Sequence, residues 1–537
     1  MQKQSKRMIT WAAALLLGGS GAFAVDHERN TVGGDFDTGS EWTPAGPPGG
    51  GDHAEFGSNG SGTVDFNGAE GTDTFDVNSN TYTWDLNGNT YTLGGTTDRN
   101  RVDLGGHLTV TSSSAGGTVQ NNVVAGGSDP ALNVGRNTVG TLILDGTNVT
   151  WNNTADNVYV GDQGPGSVGV IEVRNGATFD VASGNTTVLG RGVDAIGTAR
   201  VDGSNSLFDA VNSTIGSTGH GTLEISNGGR YNANGPTTIA GTATGTVSVS
   251  GANSLYAMNN NNLEMGNDAA AVANITVTSG GSFGNNSVGG GGINRIEVGR
   301  VAGSTVTISV DGATSKMYAN QLYVGGSSGS AGGNASVTVS DSAILRVHTI
   351  LRVYGTSTLT LDGGTVQYGT PGGVTLDLRG TLAGNGDINN IGGGADTLSV
   401  TGGTLDPGTD SAAGTIAFLE YNFNNDASTT YEIDIFGDGG TSWDQLDFSN
   451  LAGTITINGG TVNVTTEALS LDNKVDGFDL IYGDTVTINT LPTLTLPAGY
   501  AGNLQFANSG GLLDPGDESL RLVITRAPHP GTIFTVQ

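Results

Sequence analysis

The stretch GTARVDGSNSLF (197–208) and its next copy GTLEISNGGRY (221–231) contain the unit that decides the fold. Each copy has alternating apolar positions, a turn on Gly, Asn or Asp, and a closing aromatic or apolar residue. Successive copies start roughly 22 to 31 residues apart, a period typical of solenoids. The other copies begin at Gly140, Gly169, Gly245, Ala273, Ser304, Ala335 and Ser357.

A shorter phrase separates most copies, as in VYVG (158–161), TVLG (187–190) and LYVG (322–325). Each repeat therefore supplies two strong strands and a weaker third. No single coil can bury its apolar face, so coils must stack and share a core. The pattern predicts an all-β, right-handed parallel β-helix. A propeller stays as an alternative, since two repeats approach the 40–50 residues of a four-stranded blade.

The composition limits the function. Glycine accounts for 92 of 537 residues without a G-X-Y period, which excludes collagen. There are 20 Lys+Arg and 50 Asp+Glu; three of the basic residues lie in the first 24, so the remainder carries 17 basic residues and a net charge of −33. This charge repels nucleic acid, and we expect no nucleic-acid partner. The absence of cysteine excludes disulfides, zinc–thiolate sites and thiol catalysis.

Five segments are expected. Residues 1–24 are typical of a secretory signal peptide, with Lys3, Lys6 and Arg7 before an apolar stretch; an uncleaved anchor is the alternative. An irregular N-terminal cap (25–62) precedes the β-helix repeat region (63–415). A C-terminal antiparallel β cap or small sandwich (416–525) and a loose tail (526–537) follow. The repeat region predicts 12 to 16 coils, with roughly 4.8 Å between coils, and amide ladders in the Asn-rich turns (Asn259 to Asn262, Asn285 and Asn286).

The chain resembles a known group of bacterial surface proteins. The segments 197–240, 380–416 (GTLAGNGDI…GGTLDPG…GTI) and 47–56 (PPGGGDHAEF) are similar to repeats of type V autotransporter passenger regions and of exosortase-sorted surface proteins. The resemblance implies a right-handed parallel β-helix exported to the cell surface, with adhesive or structural roles. Two features of the group are not recognised: a C-terminal membrane β-barrel and a Pro-Glu-Pro sorting signal.

Several motifs were weighed as sites. Gly164–Gly169 matches GxGxxG, but no helix is expected after it. Gly280–Gly284 and Gly325–Gly329 match GxSxG in loops between strands rather than in a strand-to-helix turn. His220, in a GHG element that resembles one in polygalacturonases, is interpreted as a turn residue because no Asp-Asp pair accompanies it.

Calcium is the most tenable small ligand. Gly384–Asp387 faintly resembles a calcium-binding nonapeptide, and oxygen ligands suit Ca²⁺. Solvated loop carboxylates are the simpler interpretation. The acidic residues that cluster after 430 are Asp434, Asp438, Asp444 and Asp447.

The sequence predicts a secreted or cell-surface structural or adhesive protein, not an enzyme, with no catalytic residues, cofactor or metal assigned. We expect it outside the cell, without a transmembrane segment in the mature chain, and with a glycan or another surface protein as partner. A polysaccharide lyase or hydrolase on the same fold is the alternative, and a passive spacer is a third. Converging carboxylates in a cleft would favour the enzyme; ladders of Thr, Ser and Asn on a smooth face would favour adhesion.

Overall fold

The computed structural model describes residues 25–526 except 32, 59, 97–98, 126–128, 183, 260, 285–294, 369–374, 391–395, 410–411, 420, 437–442, 450–453, 467–475 and 509–517. The described part is all-β, with 51 strands, numbered β1 to β51 in chain order, and a short 3-10 helix at Gly39–Glu41. The expected signal peptide (1–24) and the tail beyond 526 lie outside the described residues.

The chain winds as a three-sided parallel solenoid, because nearly every strand pairs with the equivalent strand one coil later. We call the three sides faces A, B and C, in the order in which a coil visits them. The strands of face A are β1 (Asp26–Arg29), β4 (His53–Phe56), β7 (Thr74–Asn78), β10 (Asn100–Asp103), β13 (Leu132–Val134), β16 (Val158–Val160), β19 (Thr186–Leu189), β22 (Asn212–Ile215), β25 (Thr237–Ile239), β28 (Leu263–Met265), β31 (Arg295–Val298), β37 (Thr375–Leu378), β39 (Asp396–Val400), β42 (Tyr421–Asn425), β45 (Ile455–Asn458) and β48 (Val486–Thr490).

Face B carries the long repeat phrase. Its strands are β2 (Gly34–Asp35), β5 (Gly62–Asp65), β8 (Thr81–Asp85), β11 (Gly106–Thr111), β14 (Val139–Asp145), β17 (Val168–Arg174), β20 (Ile196–Asp202), β23 (His220–Ser226), β26 (Thr244–Ser250), β29 (Val272–Thr278), β32 (Thr305–Asp311), β34 (Asn334–Ser340), β40 (Thr404–Pro407), β43 (Thr430–Ile435), β46 (Thr461–Thr466) and β49 (Thr493–Thr495).

Face C begins with the closing aromatic of each phrase. Its strands are β6 (Glu70–Thr72), β9 (Thr90–Leu93), β12 (Thr118–Asn121), β15 (Thr150–Asn153), β18 (Thr178–Val181), β21 (Leu207–Ala210), β24 (Arg230–Ala233), β27 (Leu255–Met258), β30 (Ser282–Phe283), β41 (Thr415–Leu419), β44 (Gln445–Phe448) and β47 (Asp476–Gly483). Four long strands turn a corner: β33 (Lys316–Val324) and β35 (Ile344–Val353) run from face C to face A, and β36 (Thr358–Tyr368) and β38 (Thr381–Asn390) from face B to face C.

Two glycines explain the repeat phrases. Gly190, which ends a short phrase, has φ +69°, a left-handed conformation that turns the chain from face A to face B. Gly197, which begins the next long phrase, faces the carbonyl of the previous coil so closely that a Cβ there would lie 2.1 Å from Val160 O. Any larger residue at Gly197 would therefore force neighbouring coils apart.

The core is a continuous column of inward-facing side chains. On face C the rings stack from coil to coil, with centroid distances of 4.7 Å between Phe179 and Phe208, 5.2 Å between Phe208 and Tyr231, and 4.4 Å between Tyr256 and Phe283. All these rings are buried. Because face C supplies the largest side chains, the third strand that the sequence predicted as weak is firmly fixed by packing.

The prediction of an irregular cap over residues 25–62 is wrong in one respect. β1 pairs in parallel with β4, and β4 with β7, so coils begin at Asp26. Strands of only two to four residues in Gly/Pro-rich sequence leave little alternation to detect. The end of the core is closed by β3 (Trp42–Thr43), which pairs antiparallel with β1, and by the buried Arg29, whose guanidinium lies 5.3 Å from the Trp42 ring. Trp42 and Phe56 are core residues, as predicted.

The change of texture near residue 415 does not interrupt the stack. Parallel pairing continues through β41, β44 and β49, as far as Thr495. The coils lengthen instead: Thr381 pairs with Thr404, 23 residues later, whereas Thr461 pairs with Thr493, 32 residues later. The antiparallel cap predicted for 416–525 is smaller, comprising β50 (Tyr500–Asn508) and β51 (Glu518–Arg526), which pair on the edge of β47.

Face A contributes eighteen consecutive coils within the described residues, thirteen of them inside 63–415, which agrees with the predicted 12 to 16. At about 4.8 Å per coil the stack is roughly 80 Å long. The predicted amide ladder exists at Asn259 and Asn261, both of which donate to Asn234. Asn285 and Asn286 lie outside the described residues.

Candidate functional site

A charged groove of about 440 Å³ lies on face A, over the first five coils. It is formed by side chains that point outward from consecutive strands and by the turns that follow them. We call it the face A groove. Its lining comprises Asp26, His53, Glu55, Asp76, Asn78, Arg101, Asp103, Leu104 and Asn137.

The strand pattern explains why these charges share one surface. In β4, Ala54 and Phe56 face the core, so Glu55 between them faces outward. Parallel register then places Glu55 beside Asp76, and Asp76 beside Arg101, on successive coils. Residues more than twenty positions apart in sequence thereby become neighbours about 4.8 Å apart.

The centre of the groove is an ion-paired network. Arg101 donates through Nε to Asp76 Oδ1 at 2.7 Å and through Nη2 to Asp76 Oδ2. His53 Nε2 lies 3.5 Å from Asp76 Oδ2, and His53 Nδ1 lies 2.7 Å from Thr74 Oγ1. Asp76 is only 4% exposed, so this pairing stabilises a nearly buried carboxylate.

The other carboxylates of the groove retain free acceptor capacity. Glu55 accepts one hydrogen bond, at 3.3 Å, from Asn78 Nδ2. Asp103 Oδ1 accepts from Thr138 Oγ1 at 2.9 Å, while its Oδ2 accepts none from the described residues. Asp26 is exposed and pairs with no described side chain. Four carboxylates thus surround one guanidinium, and the groove is strongly electronegative.

Further along face A a second charged network is covered by a short loop, residues 326–331, closed by a bridge between Gly326 and Ala331. Ser328 N donates to Glu297 Oε1 at 3.1 Å, and Tyr354 Oη donates to Ser327 O at 2.7 Å. Glu297 is 2% exposed. Because the loop covers these groups, this part of face A is closed, whereas the face A groove is open.

Face B carries a second surface, formed by one outward position on each strand. On twelve consecutive coils this position is Thr, Ser or Asn, and we call the array the hydroxyl face. Parallel register aligns its members one above another. They are Thr198, Thr222, Thr246, Asn274, Thr307, Ser336, Thr358, Thr381, Thr404, Thr430, Thr461 and Thr493.

The motifs weighed from the sequence do not assemble into a site. Gly164–Gly169 is a turn that leads into β17, not into a helix. Of the GxSxG matches, Gly280–Gly284 spans a turn and β30, and Ser327 in the other lies 3.3 Å from Ser330. His220 is an exposed residue at the start of β23, as the turn interpretation predicted.

The acidic residues considered for calcium are separated. Asp387 is exposed on β38, Asp447 lies on β44, and Asp438 is outside the described residues. Asp444 is fully buried and accepts backbone N–H donors from Gly414 at 2.8 Å and Asp434 at 2.9 Å. Within the described ranges no group of three or more His, Asp or Glu is arranged to hold a metal ion.

Sequence reasoning missed the face A groove because its residues converge only through register. A signal was present: Ala54-Glu55-Phe56 and Phe75-Asp76-Val77 each place a carboxylate between two apolar residues. Such a triplet in a strand puts the acid outside and its neighbours inside. Aligning the triplets by coil would have shown the column.

Comparisons with known proteins leave the chain without relatives: no protein-family model matches it, and no curated protein matches it significantly. The part of the chain that the structure describes contains no apolar helix of membrane-spanning length. The architecture therefore defines a class, the parallel β-solenoids, without placing the chain in a family.

Proposed function

We propose that the protein is an exported, non-enzymatic β-helical rod that acts in adhesion or in the structure of the cell envelope or its surrounding matrix. The signal-like residues 1–24 and the high negative charge support an extracellular location. The hydroxyl face carries the proposal, because it offers a long, regular surface for a repetitive partner.

The chemistry of the hydroxyl face suits an extended glycan. Each threonine hydroxyl can both donate and accept a hydrogen bond, and successive coils repeat the group about every 4.8 Å. β-branched threonine also has a restricted χ1, so little side-chain entropy is lost on binding. Many weak, aligned contacts to one polymer then add up to useful affinity.

The test combines fractionation of the native cells with a glycan array probed with the purified protein. The variant Thr222→Val, Thr246→Val and Thr307→Val removes three hydroxyls from the hydroxyl face. The matched control removes three from face C, at Thr118, Thr150 and Thr178, which register aligns in the same way. We expect an extracellular protein that retains a glycan without cleaving it, with retention lost in the face B variant and kept in the control. Depolymerisation of any glycan, or an intracellular location, would contradict the proposal.

A second candidate, a polysaccharide-cleaving enzyme, is favoured by one observation: Glu55 and Asp76 lie side by side on adjacent strands of the face A groove. Glycosidases use two carboxylates, and retaining enzymes hold them about 5 Å apart. Release of new reducing ends from a polysaccharide, abolished by Glu55→Gln and kept by Glu224→Gln on face B, would establish this candidate. No release from a broad polysaccharide panel would exclude it.

A further inference from the structure

We propose that the face A groove binds the protonated amino groups of an amino-sugar polymer. The inference rests on the proposed adhesive function and names the chemistry of one ligand. It depends on the groove's charge, on its supply of hydrogen-bond donors and acceptors, and on the spacing of its coils.

The groove has a surplus of acceptors. Asp26, Glu55 and Asp103 keep free carboxylate oxygens, whereas the Arg101 guanidinium is directed at Asp76 and the Asn78 amide at Glu55. An ionised carboxylate only accepts hydrogen bonds, and an ammonium group only donates them, through three N–H. A ligand that fits must therefore be rich in donors and positively charged.

A charged group of this kind also satisfies the electrostatics. Covering the groove with a neutral ligand would desolvate carboxylates without compensation, which is costly. A bare divalent cation needs several oxygens converging at about 2.3–2.6 Å, and the described residues provide no such group. An ammonium group on a larger molecule instead contacts carboxylates that lie on different coils.

The layout along the rod favours a sugar polymer over a basic peptide. The carboxylates recur on successive coils, from Asp26 through Glu55 and Asp76 to Asp103, with a rise of about 4.8 Å per coil. Side chains on one face of an extended peptide recur about every 6.8 Å, which does not match. A β-linked hexosamine chain advances by nearly one coil per sugar, so each sugar presents one amino group to a coil.

The remaining lining suits the rest of a sugar. Asn137 is exposed beside the groove and supplies both an amide donor and an amide acceptor for hydroxyl groups. Leu104, 53% exposed, provides an apolar surface against which the C–H face of a pyranose ring can pack. The groove therefore combines anchoring carboxylates with contacts that recognise a sugar ring.

The test uses titration calorimetry of the full chain with a glucosamine hexamer and with its fully N-acetylated counterpart, which lacks the charge. We expect binding of the glucosamine hexamer alone, weakened by added salt. Glu55→Gln should weaken it roughly ten-fold or more, since hydrogen bonds to charged groups contribute most. The matched control, Glu224→Gln, changes an exposed carboxylate on face B and should leave the affinity unchanged.

The outcomes separate the two proposals. Equal affinity for both hexamers, or no effect of Glu55→Gln, overturns the groove inference, while retention of neutral glycans on the hydroxyl face would leave the adhesive function standing. An oligolysine that binds as tightly as the glucosamine hexamer, and loses affinity in Glu55→Gln, overturns the sugar assignment in favour of a basic protein. Loss of all glycan retention together with an intracellular location removes the proposed function itself.

Discussion

At the scale of single residues, the side chains of faces A and C that meet across the core match each other coil by coil. Ser213 Oγ lies 2.6 Å from Tyr231 Oη, and Tyr256 Oη donates to Thr237 Oγ1 at 3.3 Å. Where the equivalent face A residue is apolar, face C carries a phenylalanine: Val158 with Phe179, and Leu263 with Phe283.

One coil breaks this rule. Thr187 occupies the position of Ser213, but Phe208 occupies the position of Tyr231, and the buried Thr187 Oγ1 has no hydrogen-bond partner. We predict that Phe208→Tyr raises the free energy of unfolding by about 1 kcal/mol, because the new hydroxyl pairs with Thr187. Urea denaturation measures the change.

Phe179→Tyr is the matched control, because its hydroxyl would face Val158 and remain unpaired. An unpaired buried hydroxyl should destabilise the protein by about 1–3 kcal/mol. If both variants lose similar stability, the pairing rule across the core is incorrect.

Asp444 is the residue from which a pH dependence follows. Burial raises the pKa of Asp444 from 3.8 to about 7, with Asp434 and Asp406 adding to the increase and two backbone N–H donors opposing it. Between about pH 4 and pH 7 the folded protein therefore holds a proton that the unfolded chain has lost. The unfolding free energy should fall as pH rises through this window, by up to about 4 kcal/mol.

The variant Asp444→Asn keeps an oxygen acceptor for Gly414 N and Asp434 N but cannot ionise. We predict that it removes this part of the fall in stability, which urea denaturation at several pH values would show. Asp447→Asn, on the neighbouring strand, is the control. A constant difference between wild type and Asp444→Asn from pH 4 to 7 would disprove the assignment.

At the scale of elements, the corner between faces C and A is held by a buried amide ladder. Asn100 Nδ2 donates to Asn121 Oδ1 at 3.0 Å, and Asn121 Nδ2 donates to Asn153 Oδ1 at 2.7 Å. All three residues are fully buried. The sequence predicted amide ladders in the longest Asn runs, but this ladder is built from single residues spaced by coil.

We predict that Asn121→Ala costs about 2–4 kcal/mol, because it leaves Asn153 Oδ1 and the Val123 N–H, which Asn121 Oδ1 accepts, unpaired in the interior. Asn458→Ala is the control. Asn458 bonds Asn424 and Asn489 in a partly exposed ladder, where water can replace the lost bonds. Equal losses in the two variants, measured by denaturation, would show that burial does not decide the value of a ladder.

Element boundaries followed from the sequence where the repeat is strict, and failed where it is not. Gly169, Gly197 and Gly221 align as the sequence indicated. Before residue 63, strands such as Gly34–Asp35 are too short to show alternation. After 415 the coils lengthen, and longer loops were mistaken for a change of architecture.

At the scale of the whole molecule, stability is the sum of coils and of the interfaces between them. Gly197 pairs with Gly221, so residues 197–220 form one complete coil of 24 residues. We predict that deleting them yields a folded rod one coil shorter, because Ile196 takes the register of His220. Circular dichroism and denaturation of the purified deletion variant measure this.

Deleting only 197–208 is the control, since it removes half a coil. Inward-facing residues would then meet the wrong face, and the core would be interrupted. We expect this variant to unfold or aggregate. A half-coil deletion that folds as well as the full-coil deletion would contradict a register-locked solenoid.

The rod was predictable as a whole, but its binding surface was not. Periodicity reports which residues face inward, since the core must be apolar on every coil. The face A groove depends on which outward residues meet across coils of unequal length, such as Glu55 beside Asp76 and Asn78 beside Asp103. That alignment needs the register of each coil, which only the structure supplies.

The parallel ladders have a mechanical consequence. Their hydrogen bonds point along the rod, so a pull on the two ends loads the interfaces between coils one after another and peels coils from the weaker end. Each coil of about 25 residues would release roughly 80–90 Å of extended chain. A cell held by such a rod would be tethered through an extensible link that lengthens in steps under tension and shortens again as coils re-form.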